Sequence, residues 1–198
     1  MDSSMGLEHH INVICKRCHW QLRKLSKLRP YLSKQSLEKL VHSMISSQLD
    51  FCNSLLIGLP SFLVHRLQKV QNIAARIVSG TKKREHITPV LYALHWLPVE
   101  RRIEFKILVL VFKCIHGVAP IYLGELITGH SPTRNLRSRD QFLLNVPFTR
   151  SMLASDRAFS VVGPTLWNAL PKSVRSAPSL FTFKKLLKTH LFRVAFYE

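Results

Sequence analysis

The segment from Val99 to His116 constrains the fold most. After its first turn it is apolar on nearly every side, through Ile103, Phe105, Ile107, Leu108, Leu110, Val111, Phe112, Cys114 and Ile115. Ile107 to Phe112 alone would suit a buried strand. The length of the run and Gly117 at its end favour a helix, and a helix with no polar face belongs inside a structure. The rest of the chain has to cover it.

Such covering faces recur at helical spacing. Leu7, Ile11, Ile14, Cys18, Leu22 and Leu25 step by three and four, which predicts a helix from about Glu8 to Leu28, broken at Arg29-Pro30. Ser33 or Ser36 can cap a second helix carrying Leu37, Leu40, Val41, Met44, Ile45 and Leu49. Asp50 to Pro60 reads as a helix end and connector. A third helix bears Leu63, Leu67, Val70, Ala74 and Ile77 and stops at Gly80. Thr88-Pro89 then offers an N-cap and first-turn proline to a short helix reaching His95-Trp96, closed by Pro98. Ala119 to Leu126 adds another short one.

Gly129 to Arg150 has a different character. It is rich in Ser, Thr, Pro and Arg (Arg134, Arg137, Arg139, Arg150), and Phe142, Leu144 and Val146 alternate with their neighbours. It reads as an exposed basic linker holding one short strand or hairpin. Beyond it, Ser155 can cap a helix through Phe159 and Trp167, kinked at Gly163-Pro164. Pro171 to Pro178 connects to a last amphipathic helix from Ser179 to Phe196. There Leu180, Phe183, Leu187, Leu191 and Val194 lie on one side, and Lys184, Lys185 and Lys188 on another. The expectation is a mainly α protein, a bundle of about six to eight helices with one short β-strand or hairpin in the 130–150 region. Its segments would be 1–53, a basic central bundle over 54–128, the linker 129–150, and a C-terminal helical part, 151–198.

Charge narrows the partners. Lys and Arg total 29 against 11 Asp and Glu, a net charge of +18. The hydrophobic share of 46% is too high for a disordered basic tail. A folded domain this cationic favours nucleic-acid backbone, RNA or DNA, because neutralising phosphates releases condensed counterions. An anionic membrane surface or an acidic protein is the plainer alternative. No apolar run approaches the roughly 20 residues of a spanning helix, and Asp2 and Glu8 stand where a signal core would lie. The expectation is an intracellular protein, nuclear or cytoplasmic.

The candidate contact residues are Lys16, Arg17, Arg23 and Lys24 on the first helix, Arg66, Lys69 and Arg76 on the third, and Lys82, Lys83 and Arg84 in the loop after it. Trp20, Trp96 and Trp167 can stack on bases, although large aromatics at helical spacing more often belong to the core. Base readout is not expected.

Catalytic patterns are missing. The carboxylates include no adjacent pair, so nothing resembles the clusters that hold two metal ions for phosphoryl transfer. None of the ten histidines begins an H-x-D or H-x-E pattern. No H-E-x-x-H, G-x-S-x-G, P-loop or G-x-G-x-x-G occurs. Cys15-x-x-Cys18-His19 imitates half a zinc site, yet helical spacing puts both cysteines on or beside an apolar stripe, and no second ligand pair follows. The expectation is no enzyme, no metal, no cofactor and no small-molecule substrate.

An ordered series of short motifs carries a resemblance. Leu49-Asp50-Phe51-Cys52-Asn53-Ser54-Leu55-Leu56, Gly58-Leu59-Pro60 and Arg66-Leu67-Gln68-Lys69-Val70-Gln71-Asn72 with Ala74-Ala75-Arg76 come first. His86-Ile87-Thr88-Pro89 and Leu94-His95-Trp96-Leu97-Pro98 follow, then Asp156-Arg157-Ala158-Phe159-Ser160 and Leu166-Trp167-Asn168-Ala169-Leu170-Pro171. The series resembles the C-terminal region of the reverse-transcriptase polyprotein of non-LTR retrotransposons (LINE elements of the chicken-repeat and jockey-like groups), from about Leu7 to Phe196.

The resemblance implies that Leu7 to about Leu49 corresponds to the helical thumb, so 1–53 is thumb-like, and that the remainder follows it. Palm and endonuclease lie upstream in that family and have no counterpart here, which implies a truncated, non-catalytic fragment with Met1 an accidental start. Gln48 stands where the related pattern often has Arg, and Ser155 where Gly precedes Asp-Arg-Ala-Phe. The stretch from Ile11 to Asn53 also resembles a segment linked to the N-terminal part of AlkB homologue eight, an oxygenase and methyltransferase assignment that the absent iron ligands argue against. An inert relic or protein-interaction module is the alternative to nucleic-acid binding.

Overall fold

The structure is a computed structural model that describes residues 7–129, 142–148 and 157–197. It is mainly helical. The elements are α1 (Glu8–Leu28), α2 (Lys34–Val41), α3 (Ser47–Asp50), α4 (Ser61–Ser79), α5 (Thr88–Ala93), α6 (Val99–Ile115), α7 (Ile121–Gly124), α8 (Phe159–Ala169), α9 (Lys172–Arg175) and α10 (Leu180–Phe196). They fall into two compact units, one within 1–103 together with 194–198, the other within 104–193. The segment lines drawn on composition do not coincide with these units: α1 and α4, on either side of 53, pack against one another.

In the first unit α1 buries Ile11, Cys15, Cys18, Leu22 and Leu25, and α4 buries Leu63, Leu67, Val70, Gln71, Ala74, Ala75 and Val78. Ile77, placed on the stripe by spacing, is only half-buried. The two helices run in the same sense, with Glu8 beside Arg66 at one end and Arg29 beside Gly80 at the other.

Ser33 caps α2 by accepting from the Ser36 backbone N–H at 3.1 Å. The buried residues that follow, Leu37, Val41, Ile45 and Leu49, are four apart. Each such step overshoots an α-helical turn by about 40°. A π-helical turn over His42–Ser46 takes up part of that excess. Serine hydroxyls bonding backward, Ser43 to the Leu40 carbonyl and Ser47 to the Ser43 carbonyl, accompany the wide turn. Gln48 turns inward and donates to Gln21 Oε1 at 2.9 Å and to the Met44 carbonyl at 3.0 Å.

The polar residues of α4 hold the next crossing. Gln68 Nε2 donates to Gln71 Oε1 (3.0 Å) and Asn72 Oδ1 (2.8 Å), and Gln68 Oε1 accepts from the Val99 N–H at 2.8 Å. Buried Gln71 donates to the Leu97 carbonyl at 2.8 Å. Asp50 accepts a two-pronged bond from Arg102. Two details of the next helix differ from expectation. Thr88 is its first residue rather than its cap, which is Ile87, and the helix ends at Ala93. His95, at φ 54°, lies outside helical space, so the turn comes before Trp96. The buried Trp96 donates to Glu38 Oε1 at 3.3 Å.

In the second unit Phe112, Trp167 and Phe183 form an aromatic core, Phe112 stacking on Phe183 with ring centroids 4.4 Å apart. Asn168 grips Leu144 from both sides, accepting from its N–H and donating to its carbonyl, each at 2.9 Å. Trp167 Nε1 donates to the Phe142 carbonyl at 2.7 Å. Among the described residues this segment forms one isolated antiparallel bridge, Gly129 to Leu144, and the remainder of the expected strand or hairpin, over 130–141, lies outside the described residues. Leu144 is buried while Phe142 and Val146 are exposed, so the alternation does not divide inside from outside. The expected linker arginines 134, 137, 139 and 150, and the Ser155 cap, lie outside the described residues; Ala158 occupies the N-cap of α8. The connector after Pro171 contains the single turn of α9.

Candidate functional site

The cations gather on the first unit in three places. At about 100° per residue, Lys16, Arg17, Arg23, Lys24 and Lys27 share one sector of α1. That sector lies opposite the buried stripe, and all five side chains are exposed. The Lys24 ammonium sits over the Trp20 ring, 3.5 Å from its centroid.

Arg66, Lys69 and Arg76 share a face of α4 but play different parts. Arg66 lies 3.6 Å from Glu8 in an exposed pair of little energetic weight. Lys69 is exposed. Arg76 reaches past the end of its helix and donates to the Lys82 carbonyl at 2.5 Å and the Glu85 carbonyl at 2.6 Å. Glu85 Oε1 accepts from the Lys82 N–H at 3.1 Å. The loop is thus held in shape from within, and Lys82, Lys83 and Arg84 are presented to solvent.

Between α1 and α4, at their C-terminal ends, lies an open groove of about 680 Å³. Its cations are Arg29, Lys69, Arg76 and Lys83; His19, Ser26, Asn72 and Thr81 add polar groups, and no carboxylate lines it. Helix C-termini carry roughly half a negative charge each. Four cations outweigh two such ends, leaving about three positive charges. Gly80 makes the close approach possible. It ends α4 at φ +80°, and a Cβ there would lie 2.1 Å from the Arg29 guanidinium.

Of the ten candidate residues, the groove unites Lys69, Arg76 and Lys83. Lys16 and Arg23 stand on the flank of α1 nearer its wall, Arg17 and Lys24 on the far flank. Arg29, His19, Ser26 and Thr81 were not among the candidates. Arg29-Pro30 reads as a helix break and Gly80 as a stop, and nothing in sequence says that the two ends meet.

The two cysteines of α1 are set for packing rather than ligation. Cys15 and Cys18 are buried; burial pushes the Cys18 thiol up to about 11 and raises that of Cys15 against the opposing pull of Arg66. Thiols so protonated are poor ligands and nucleophiles. Among the described residues no group of three or more His, Cys, Asp or Glu could hold a metal ion. Nor is any described helix long and apolar enough to cross a membrane.

What fold and site define together is a helical protein with a structured cationic surface. Comparison with protein-family models, curated proteins and solved structures gives no significant match in any of the three.

Proposed function

We propose that the protein binds the sugar-phosphate backbone of RNA or DNA without reading sequence, as a non-catalytic fragment from the tail of a non-LTR retrotransposon reverse transcriptase. The carboxylate-free groove, with Arg29, Lys69, Arg76 and Lys83 around it, carries the first half of this reading. The ordered motifs carry the second. A groove of this kind suits phosphates because its cations are assembled before the ligand arrives, so less side-chain freedom is lost on binding. The motif residues Gln68, Gln71, Trp167 and Asn168 are engaged in internal hydrogen bonds, which leaves contact to the cations around them. A nuclear or cytoplasmic location belongs to the same proposal.

A salt titration tests it, using single-stranded, duplex and RNA–DNA hybrid oligonucleotides. Affinity is expected to fall steeply as salt rises. Binding that ignores salt, or no binding at all, would remove the proposal and favour an inert relic or a protein-interaction module. Reversing Lys69 and Lys83 to Glu should weaken binding far more than the same change at exposed Lys184 and Lys185. Equal losses would mean generic stickiness rather than a site.

A further inference from the structure

The outward face of α1 carries a second signal. Of the three tryptophans, Trp96 and Trp167 are 5% and 1% exposed, whereas Trp20 is 57% exposed. Val13, Lys16, Arg17, Trp20, Arg23, Lys24 and Lys27 fall within about 120° of arc. From Lys16 to Lys27 the strip is about 16 Å long. No carboxylate occurs in α1 after Glu8, and none of Lys16, Arg17, Arg23 and Lys27 forms an ion pair with a described residue.

We propose that this face is a stacking platform for single-stranded nucleic acid, in which Trp20 receives an unpaired base and the flanking cations hold the adjacent phosphates. The proposal rests on the backbone-binding reading and adds the strand state of the ligand. Cations alone do not distinguish single strands from duplexes. An aromatic ring does, because only an unpaired base can leave its stack to lie on it, and each such contact strengthens binding whatever the base. Lys24 covers one face of the indole and leaves the ring substantially open. A base stacked on the open face lies across the ring from that ammonium, with the exposed cations of the same strip to either side for its phosphates. The uniform sign of the strip selects a polyanion over an apolar or mixed-charge protein surface as its occupant.

The test uses the full chain with single strands of about 12 nucleotides, as deoxythymidine and as uridine oligomers, beside a duplex of equal length. Trp20→Ala should lower affinity for both single strands about tenfold and change duplex affinity less than about twofold, while Trp20→Phe keeps most of it. Circular dichroism and the melting temperature should stay unchanged, since the side chain is exposed. Single strands should also quench tryptophan emission, and Trp20→Phe should abolish that quenching. Unchanged single-strand affinity in Trp20→Ala, or equal loss on duplex and single strand, overturns the platform while leaving salt-sensitive backbone binding intact. No binding to any of the oligomers defeats both readings.

Discussion

Gly80 couples stability to the groove through one missing methyl group. An alanine there must adopt φ +80°, which costs a residue with a Cβ about 1–2 kcal/mol. The overlap with Arg29 adds less, because the guanidinium is the far end of a flexible chain and can swing away. Gly80→Ala should therefore lower unfolding free energy by about 1–2 kcal/mol in denaturant titration. It should also weaken oligonucleotide binding by displacing Arg29. Cys18 provides a pH signature. Its thiol titrates near 11 when folded against 9.0 unfolded, so both states hold the proton below pH 9 and stability is unaffected there. Between pH 9 and 11 the unfolded state loses its proton first, and stability falls as pH rises. Urea midpoints at pH 8 and pH 10.5 should separate more for the native chain than for Cys18→Ala, which isolates this thiol from lysines and tyrosines titrating in the same range.

At the scale of elements, α4 is both core and scaffold. Gln68 joins it to the start of α6, so Gln68→Ala leaves the Val99 N–H without its partner. The expected loss is about 1–2 kcal/mol with secondary structure retained, measured by thermal unfolding and circular dichroism. This element also shows what sequence can convey. Spacing alone places Leu63, Leu67, Val70 and Ala74 inside and Gly80 at the end, because apolar period and left-handed glycine are local signals. The burial of Gln71 has no such signal, since its partner is a carbonyl 26 positions away. The π turn at His42–Ser46 is hidden for a similar reason: it answers the four-residue spacing of a stripe that must face another helix. Basic residues were legible as a set, yet which of them line one groove depends on where two helix ends meet. That meeting is a tertiary event. Helical spacing does set Trp20 opposite the stripe of α1, whereas the burial of Trp96, in the turn after α5, has no such local signal.

On the whole-molecule scale, the charge of +18 is distributed unevenly in use. If the four groove cations each displace one counterion, duplex binding should show a log–log salt slope of about −4. Reversing Lys69 and Lys83 should flatten it by more than one unit, read from the same titration. A slope much steeper would mean that the α1 strip is engaged at the same time. The helical class was legible because most of the apolar pattern is local. The two-unit division was not, because it falls inside α6, between Ile103 and Glu104, where neither glycine nor proline marks it.

Tyr197 gives that division a consequence in time. Its hydroxyl bonds to that of Tyr92 at 2.6 Å, and Phe196 packs edge-on against the same ring, so residues near the end of the chain complete the first unit. A ribosome reaches them roughly 5–20 s after it has made Ile103. During that interval the nascent first unit carries its cationic groove residues already, but with the Tyr92 surface uncovered.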